Sequence, residues 1–232
     1  MSIGRPRWHV DVAAIVGWIT ALNLVVAFWL DGGAAQLSLA LGALVAVGGA
    51  RRRGYTWADL GLRRDRVPAG ARLGLVVSAV IVAGVTVAAL IPAGRTAFED
   101  NRFIGLSSGE VIFEVAVRIP FVTALGEELL FRSVLLAVLL SGLRTRWAVL
   151  SSAVAFGLWH VATTIGDLDD NATTDDLSAW QAAASVGGVV AVTAAAGVGF
   201  VWLRHRSDSV VAPWLVHTAI NASTFLAGVA LA

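Results

Sequence analysis

Seven apolar runs, each near or above the roughly 20 residues that carry a helix across a bilayer, leave this chain little choice of fold. They extend from about Val10 to Leu30, Ala34 to Ala50, Arg72 to Ile91, Ser107 to Leu140, Trp147 to Ile165, Trp180 to Leu203 and Val210 to Leu231. In hydrocarbon no water pairs with an exposed peptide group, so such runs must satisfy their own backbone as helices. An all-α, polytopic transmembrane helix bundle is therefore expected. Composition agrees, with 57% apolar and 14% charged residues and a mean hydropathy of +0.78, outside the range of soluble globular domains. No polar stretch is long enough to bury a second core, so residues 1–232 read as a single integral membrane domain. The absence of cysteine rules out disulfides, a thiol nucleophile and thiolate metal sites.

Arg5 and Arg7 precede the first run, which is longer than a signal-peptide core and lacks a convincing cleavage site. It is expected to remain as a span. Asp31-Gly32-Gly33 makes a tight turn, and Arg51-Arg52-Arg53 closes the second run. Between Gly54 and Ala71, Tyr55, Trp57, Leu60 and Leu62 alternate with arginines, as in a connector lying along the membrane surface. The run from Ser107 to Leu140 would be roughly 50 Å long as a helix, against a hydrocarbon core of about 30 Å. Either it tilts as one span, for about seven crossings in all, or it splits near Pro120 or Gly126, for eight.

The positive-inside rule favours seven. With the N-terminus cytoplasmic, Arg5, Arg7, Arg51 to Arg53, Arg63, Arg64, Arg66, Arg72, Arg144, Arg146, Arg204 and Arg206 all fall inside. Only Arg95 and Arg102 fall outside, together with the acidic loop from Asp167 to Asp176. Arginine placement thus follows topology and carries no sign of a nucleic-acid partner. The arginine- and alanine-rich, lysine-free composition points to a prokaryotic cell membrane.

Polar residues inside the runs are few. They are Glu110, Glu114 and Arg118, then Glu127, Glu128 and Arg132, in the fourth run; His160 in the fifth; His217 and Asn221 in the seventh. Ionisable groups at membrane depth mark functional sites by default, because their desolvation must be offset. Glu128 and Arg132 are four apart and can pair along one face, while Glu127 is turned about 100° away on the helical period and can look elsewhere. Phe156 shares a face with His160, and His217 with Asn221. Counted at 1.5 Å per residue from the arginine-bearing ends, Glu127, His160 and the His217/Asn221 pair lie at a common depth of very roughly 10 to 20 Å.

Glu127-Glu128-x-x-x-Arg132, Phe156-x-x-x-His160 and His217-x-x-x-Asn221, in that order on successive apolar segments, resemble the three motifs of the CPBP family. That family holds the type II CAAX prenyl endopeptidases, the bacteriocin-processing and self-immunity proteins and the Abi-type membrane proteins. The resemblance covers the chain from about Ser107 to its end as a catalytic core, while residues 1–106 would be variable N-terminal spans. It implies a glutamate-dependent intramembrane endopeptidase acting on a peptide or membrane-protein substrate, without a cofactor. Glu127 and His160 would activate a water, and His217 and Asn221 would donate hydrogen bonds to the developing oxyanion. Glu128, Arg132 and Phe156 would support them. The chemistry suits the residues, since peptide hydrolysis needs a general base and donors preorganised where negative charge develops.

Two other readings stay open. Glu127, His160 and His217 could instead be ligands of a zinc ion, although there is no H-E-x-x-H segment. The chain could also be a non-catalytic membrane scaffold or immunity protein of the same family. A transporter fits less well, because internal repeats are missing. Glu110, Glu114 and Arg118 read as structural or cavity-lining, His9 and His205 as surface charge, and the nine tryptophans as interfacial anchors. Gly105-Leu106-Ser107-Ser108-Gly109 matches the hydrolase elbow but lacks its strand, and Asn171-Ala172-Thr173 is a sequon to which no function is attached.

Overall fold

A computed structural model describes residues 7–30, 32–98, 103–169 and 178–232, with the side chains of 167–169 outside the description. The expectations for Arg5, Asp31, Arg102, the side chains of the acidic loop and the Asn171 sequon lie outside the described residues. Among the described residues, seven long helices form the fold: α1 (Trp8–Phe28), α2 (Gly32–Arg52), α3 (Val67–Leu90), α4 (residues 108–140), α5 (Thr145–Asp169), α6 (Ala179–Ser207) and α7 (Val211–Leu231). All except α4 are long and apolar enough to cross a membrane. The protein is an all-α, multi-pass membrane bundle.

α4 is the axis of this bundle. It starts at a capping box, in which the Ser107 hydroxyl accepts from the Glu110 N–H while the Glu110 carboxylate accepts from the Ser107 N–H. From there it runs unbroken to Leu140, so the split into two crossings does not occur. Pro120 has no N–H to donate and its ring crowds the preceding turn. The helix absorbs it by winding Glu114–Ala124 as wider π-turns, and Leu129–Leu135 winds the same way. The Pro120 carbonyl accepts a hydrogen bond from Trp214 Nε1 of α7 at 2.6 Å. From Gly126 to Leu139 every residue of α4 is buried, which makes this half a central column ringed by the other helices.

Small residues set the close approaches around that column. Gly70 and Gly74 bring α3 against Ser209, Val211 and Leu215 at the start of α7, where a Cβ on either glycine would crowd the neighbouring side chains. Gly157 and Gly197 do the same between α5 and α6, against Val190 and Ala153. Without a hydrophobic force between helices in lipid, such backbone proximity is a main source of association.

The connector after α2 packs against the bundle. Tyr55 and Leu60 are buried in the bundle, at 1% and 0% exposure. The Tyr55 hydroxyl donates to Asp11 of α1 at 3.0 Å, and Arg53 pairs with the same carboxylate. Asp11 is a buried acid inside the first span whose partners come from a distant segment, which its neighbours in the chain do not reveal. Arg204 of α6 donates to the carbonyls of Ala58 and Asp59, and the Gly61 carbonyl accepts from the Val210 N–H. Gly61 takes φ +68°, with the Arg204 side chain where a Cβ would stand. After one 3-10 turn, Arg64–Arg66, α3 begins at Val67, earlier than the expected Arg72. These contacts, with Arg66 3.8 Å from Asp208 and Tyr55 3.3 Å from Ser141, gather the arginine-bearing segments at one end of the bundle.

Candidate active site

Glu127, Glu128 and Arg132 project from the fully buried half of α4, at 5%, 0% and 1% exposure. Taking these charges out of water is costly unless each meets a partner. Arg132 lies 3.1 Å from Glu128 Oε1, one turn away on the same helix, an ion-pair contact without the alignment of a hydrogen bond. Its guanidinium also sits over Phe156, 3.8 Å from the ring centroid, and 4.8 Å from that of Phe200. Aromatic faces carry negative charge density, so this cage compensates part of the cation's lost hydration.

α7 brings His217 between the two carboxylates. Its Nδ1 is 3.0 Å from Glu128 Oε1, and its Nε2 is 3.8 Å from Glu127 Oε2. The carboxylate Glu128 can only accept, so Nδ1 carries the proton and Nε2 is the nitrogen turned to Glu127. Phe200 of α6 stacks on the His217 ring at 5.0 Å and 23°, and Phe156 meets it edge-on at 5.8 Å. The imidazole is therefore held in orientation by two rings and one ion-paired carboxylate.

Glu127 has different company. Its Oε1 accepts from Trp159 Nε1 at 3.2 Å, and its Oε2 has no hydrogen-bond partner among the described residues. The carbonyl of Trp159 in turn accepts from Asn23 of α1 at 3.0 Å, tying α5 to the bundle at this level. Trp159 is 6% exposed, so it is not the interfacial anchor expected of the tryptophans. An indole N–H buried in hydrocarbon must find an acceptor, and a Trp beside His160 in an apolar run was the available clue. Phe200 left no such trace, because an apolar residue in an apolar run is silent.

His160, four residues beyond Phe156 on α5, is half-buried, with its Nδ1 2.8 Å from the Phe156 carbonyl. A carbonyl only accepts, so Nδ1 bears a proton and donates to it. Asn221 stands one turn above His217 on α7 and lines an open cavity of about 700 Å³. Glu110, Glu114, Arg118 and Thr123 of α4 line the same cavity, and Glu114 pairs with Arg118. The structure thus joins Glu127, Glu128, Arg132, His217, Phe156 and Trp159 by direct contacts. Asn221 lines the cavity, and His160 is tied to its own helix.

Among the described residues, no three His, Asp or Glu side chains converge as metal ligands would. Arg132 places a fixed cation within the same cluster as Glu127 and Glu128.

Residues 108–223 match the family model described as Type II CAAX prenyl endopeptidase Rce1-like. The match spans α4 to α7 and includes each of the residues above except Asn23. No curated protein and no solved structure matches the chain.

Proposed function

Because the chain belongs to the Rce1-like family of type II CAAX prenyl endopeptidases, we propose that it is an intramembrane endopeptidase. It hydrolyses a peptide bond of a membrane-associated protein or peptide, with Glu127 as general base. The observation that supports this reading best is the unequal pairing of two adjacent buried carboxylates. Glu128 is matched by Arg132, whereas Glu127 meets only Trp159 and His217 among the described residues. One carboxylate is committed to structure and its neighbour is left for chemistry.

In this mechanism a water lies between Glu127 Oε2 and the lone pair of His160 Nε2. Glu127 takes its proton as the oxygen adds to the scissile carbonyl carbon, and the C=O electron pair moves to the carbonyl oxygen. The Asn221 amide and His217 Nε2 face that oxyanion. Because Nδ1 is already committed to Glu128, donation from Nε2 requires that His217 enter the step as an imidazolium. Arg132, Glu128, His217 and Glu127 then sum to zero charge before the water adds, and the oxyanion balances the proton gained by Glu127 afterwards, as a site cut off from water requires. Collapse of the intermediate breaks the C–N bond, with the proton passing from Glu127 to the leaving nitrogen. The products are a free amine and a carboxylate. No step is routed through a metal, and activity of the purified protein should survive a strong chelator.

The test compares membrane proteomes of cells carrying the wild-type chain and the Glu127→Gln variant at matched expression. An uncut peptide should accumulate with the variant, and purified wild type should cleave it while Glu127→Gln and His160→Ala do not. Wild-type cleavage by Glu127→Gln would remove the general-base assignment. If no peptide accumulates, a non-catalytic scaffold or immunity role takes its place.

A further inference from the structure

The hairpin of α1 and α2 leaves a second groove, of about 190 Å³, which shares no residue with the cavity lined by Asn221. Its walls are Ala14, Ile15 and Trp18 on α1 and Val45, Ala46 and Gly49 on α2, and its floor is Val134 and Val138 of the central column. Trp18 and Val45 are exposed beside it, so it opens sideways to lipid. Large residues hold the helices apart at its deep end, where the Trp18 indole donates to the Gly42 carbonyl at 3.0 Å and Leu22 lies 2.7 Å from where a Gly42 Cβ would stand. Toward the arginine end the facing residues shrink to Ala14, Ala46 and Gly49, and a Cβ on Gly49 would meet nothing within 4 Å. Small side chains cannot fill a spacing set by large ones, so a groove remains.

Its shallow end carries charge. Asp11, Arg53 and Tyr55 line it there, and Arg53 pairs with Asp11, which leaves that pair neutral. Arg7 stands four residues before Asp11, close to one helical turn away, and Arg52 ends α2. Both are exposed, and neither has a carboxylate partner among the described residues. Three arginines thus stand against one aspartate where the groove begins. From the level of Arg53 to that of Val45 it descends roughly 12 Å along α2.

We infer that this groove binds an anionic phospholipid, with one acyl chain lying between α1 and α2 and the phosphate meeting Arg7 and Arg52. The chain gains little hydrophobic free energy on leaving the bilayer, since both surroundings are hydrocarbon, and dispersion contacts only fix where it lies. The headgroup decides which lipid stays, because basic clusters at helix ends attract anionic lipids. Val134 and Val138 belong to the buried half of α4 that carries Glu128 and Arg132, so the lipid braces the hairpin against that column. The inference does not rest on the endopeptidase reading.

The full chain, purified and delipidated in detergent, is titrated with dioleoylphosphatidylglycerol or dioleoylphosphatidylcholine, which share their acyl chains, and bound lipid is counted by native mass spectrometry. One phosphatidylglycerol should bind with roughly 10- to 30-fold preference, as two arginines near a headgroup supply. Arg7→Gln/Arg52→Gln should abolish the preference and leave phosphatidylcholine binding unchanged. Arg64→Gln/Arg206→Gln removes as much charge outside the groove and should leave the preference intact. Gly49→Phe fills the groove from open space and should lose both lipids at an unfolding midpoint close to wild type; Ala14→Leu fills it from the facing helix and gives the same readout. Equal binding of the two lipids by wild type, retention of phosphatidylglycerol by both filling variants, or equal loss of preference in the two arginine pairs overturns the site.

Discussion

Arg132→Met separates what the Glu128–Arg132 pair does for stability from what it does for the site. Both side chains are fully excluded from solvent, and the contact is 3.1 Å. Removing one member leaves a buried, uncompensated carboxylate, a loss of about 3 to 5 kcal/mol. The cation–π cage over Phe156 and Phe200 adds up to about 2 kcal/mol. For a chain of this size each kcal/mol moves the unfolding midpoint by roughly 2 to 4 °C. Arg132→Met should therefore unfold on the order of 10 °C or more below wild type in a detergent-solubilised thermal scan. The double variant Glu128→Leu/Arg132→Met removes both charges and should recover most of this loss, short of about 1 to 3 kcal/mol for the His217 Nδ1 left without its acceptor. Cleavage should not recover with it, because His217 is no longer oriented toward Glu127. A single variant as stable as wild type would refute the argument that this pair is a net buried ion pair. A stable double variant that cleaves normally would refute the positioning role.

Four further outcomes follow from the same geometry. Trp159→Phe removes the one hydrogen-bond donor seen on Glu127 and should slow cleavage while leaving the unfolding midpoint within a few degrees of wild type; an unchanged rate would show that the indole only packs. Asn221→Ala should lower cleavage roughly 10²- to 10³-fold, as expected for one oxyanion donor, whereas Glu110→Ala, which loses a helix cap, should lower stability by about 1 kcal/mol and leave the rate per folded molecule intact; both are read by steady-state cleavage at matched folded protein. Gly61→Ala forces an L side chain to positive φ against Arg204 and should loosen the connector, which limited proteolysis between α2 and α3 would report as faster cutting.

Local pattern determined much of this protein. Run length and hydropathy specify helices whatever they pack against, because hydrocarbon leaves the backbone no other way to satisfy itself. The i, i+4 spacings of Glu128 with Arg132 and of Phe156 with His160 are properties of one helix, so they hold before any helix meets another. Arginine placement grouped the segments that the fold gathers at one end. Tertiary packing decided the rest. The rotation of each helix about its own axis depends on which small residues let backbones approach, as Gly74 does for α3 on α7 and Gly157 for α5 on α6. That rotation put His217, and not His160, against both carboxylates. It turned Trp159 and Phe200 inward and buried Tyr55 and Leu60. It also let Pro120 sit in a widened turn where a break was one expectation. None of these has a sequence signal of its own, since an apolar side chain reads the same toward lipid as toward protein, and in a bilayer both sides are equally dry.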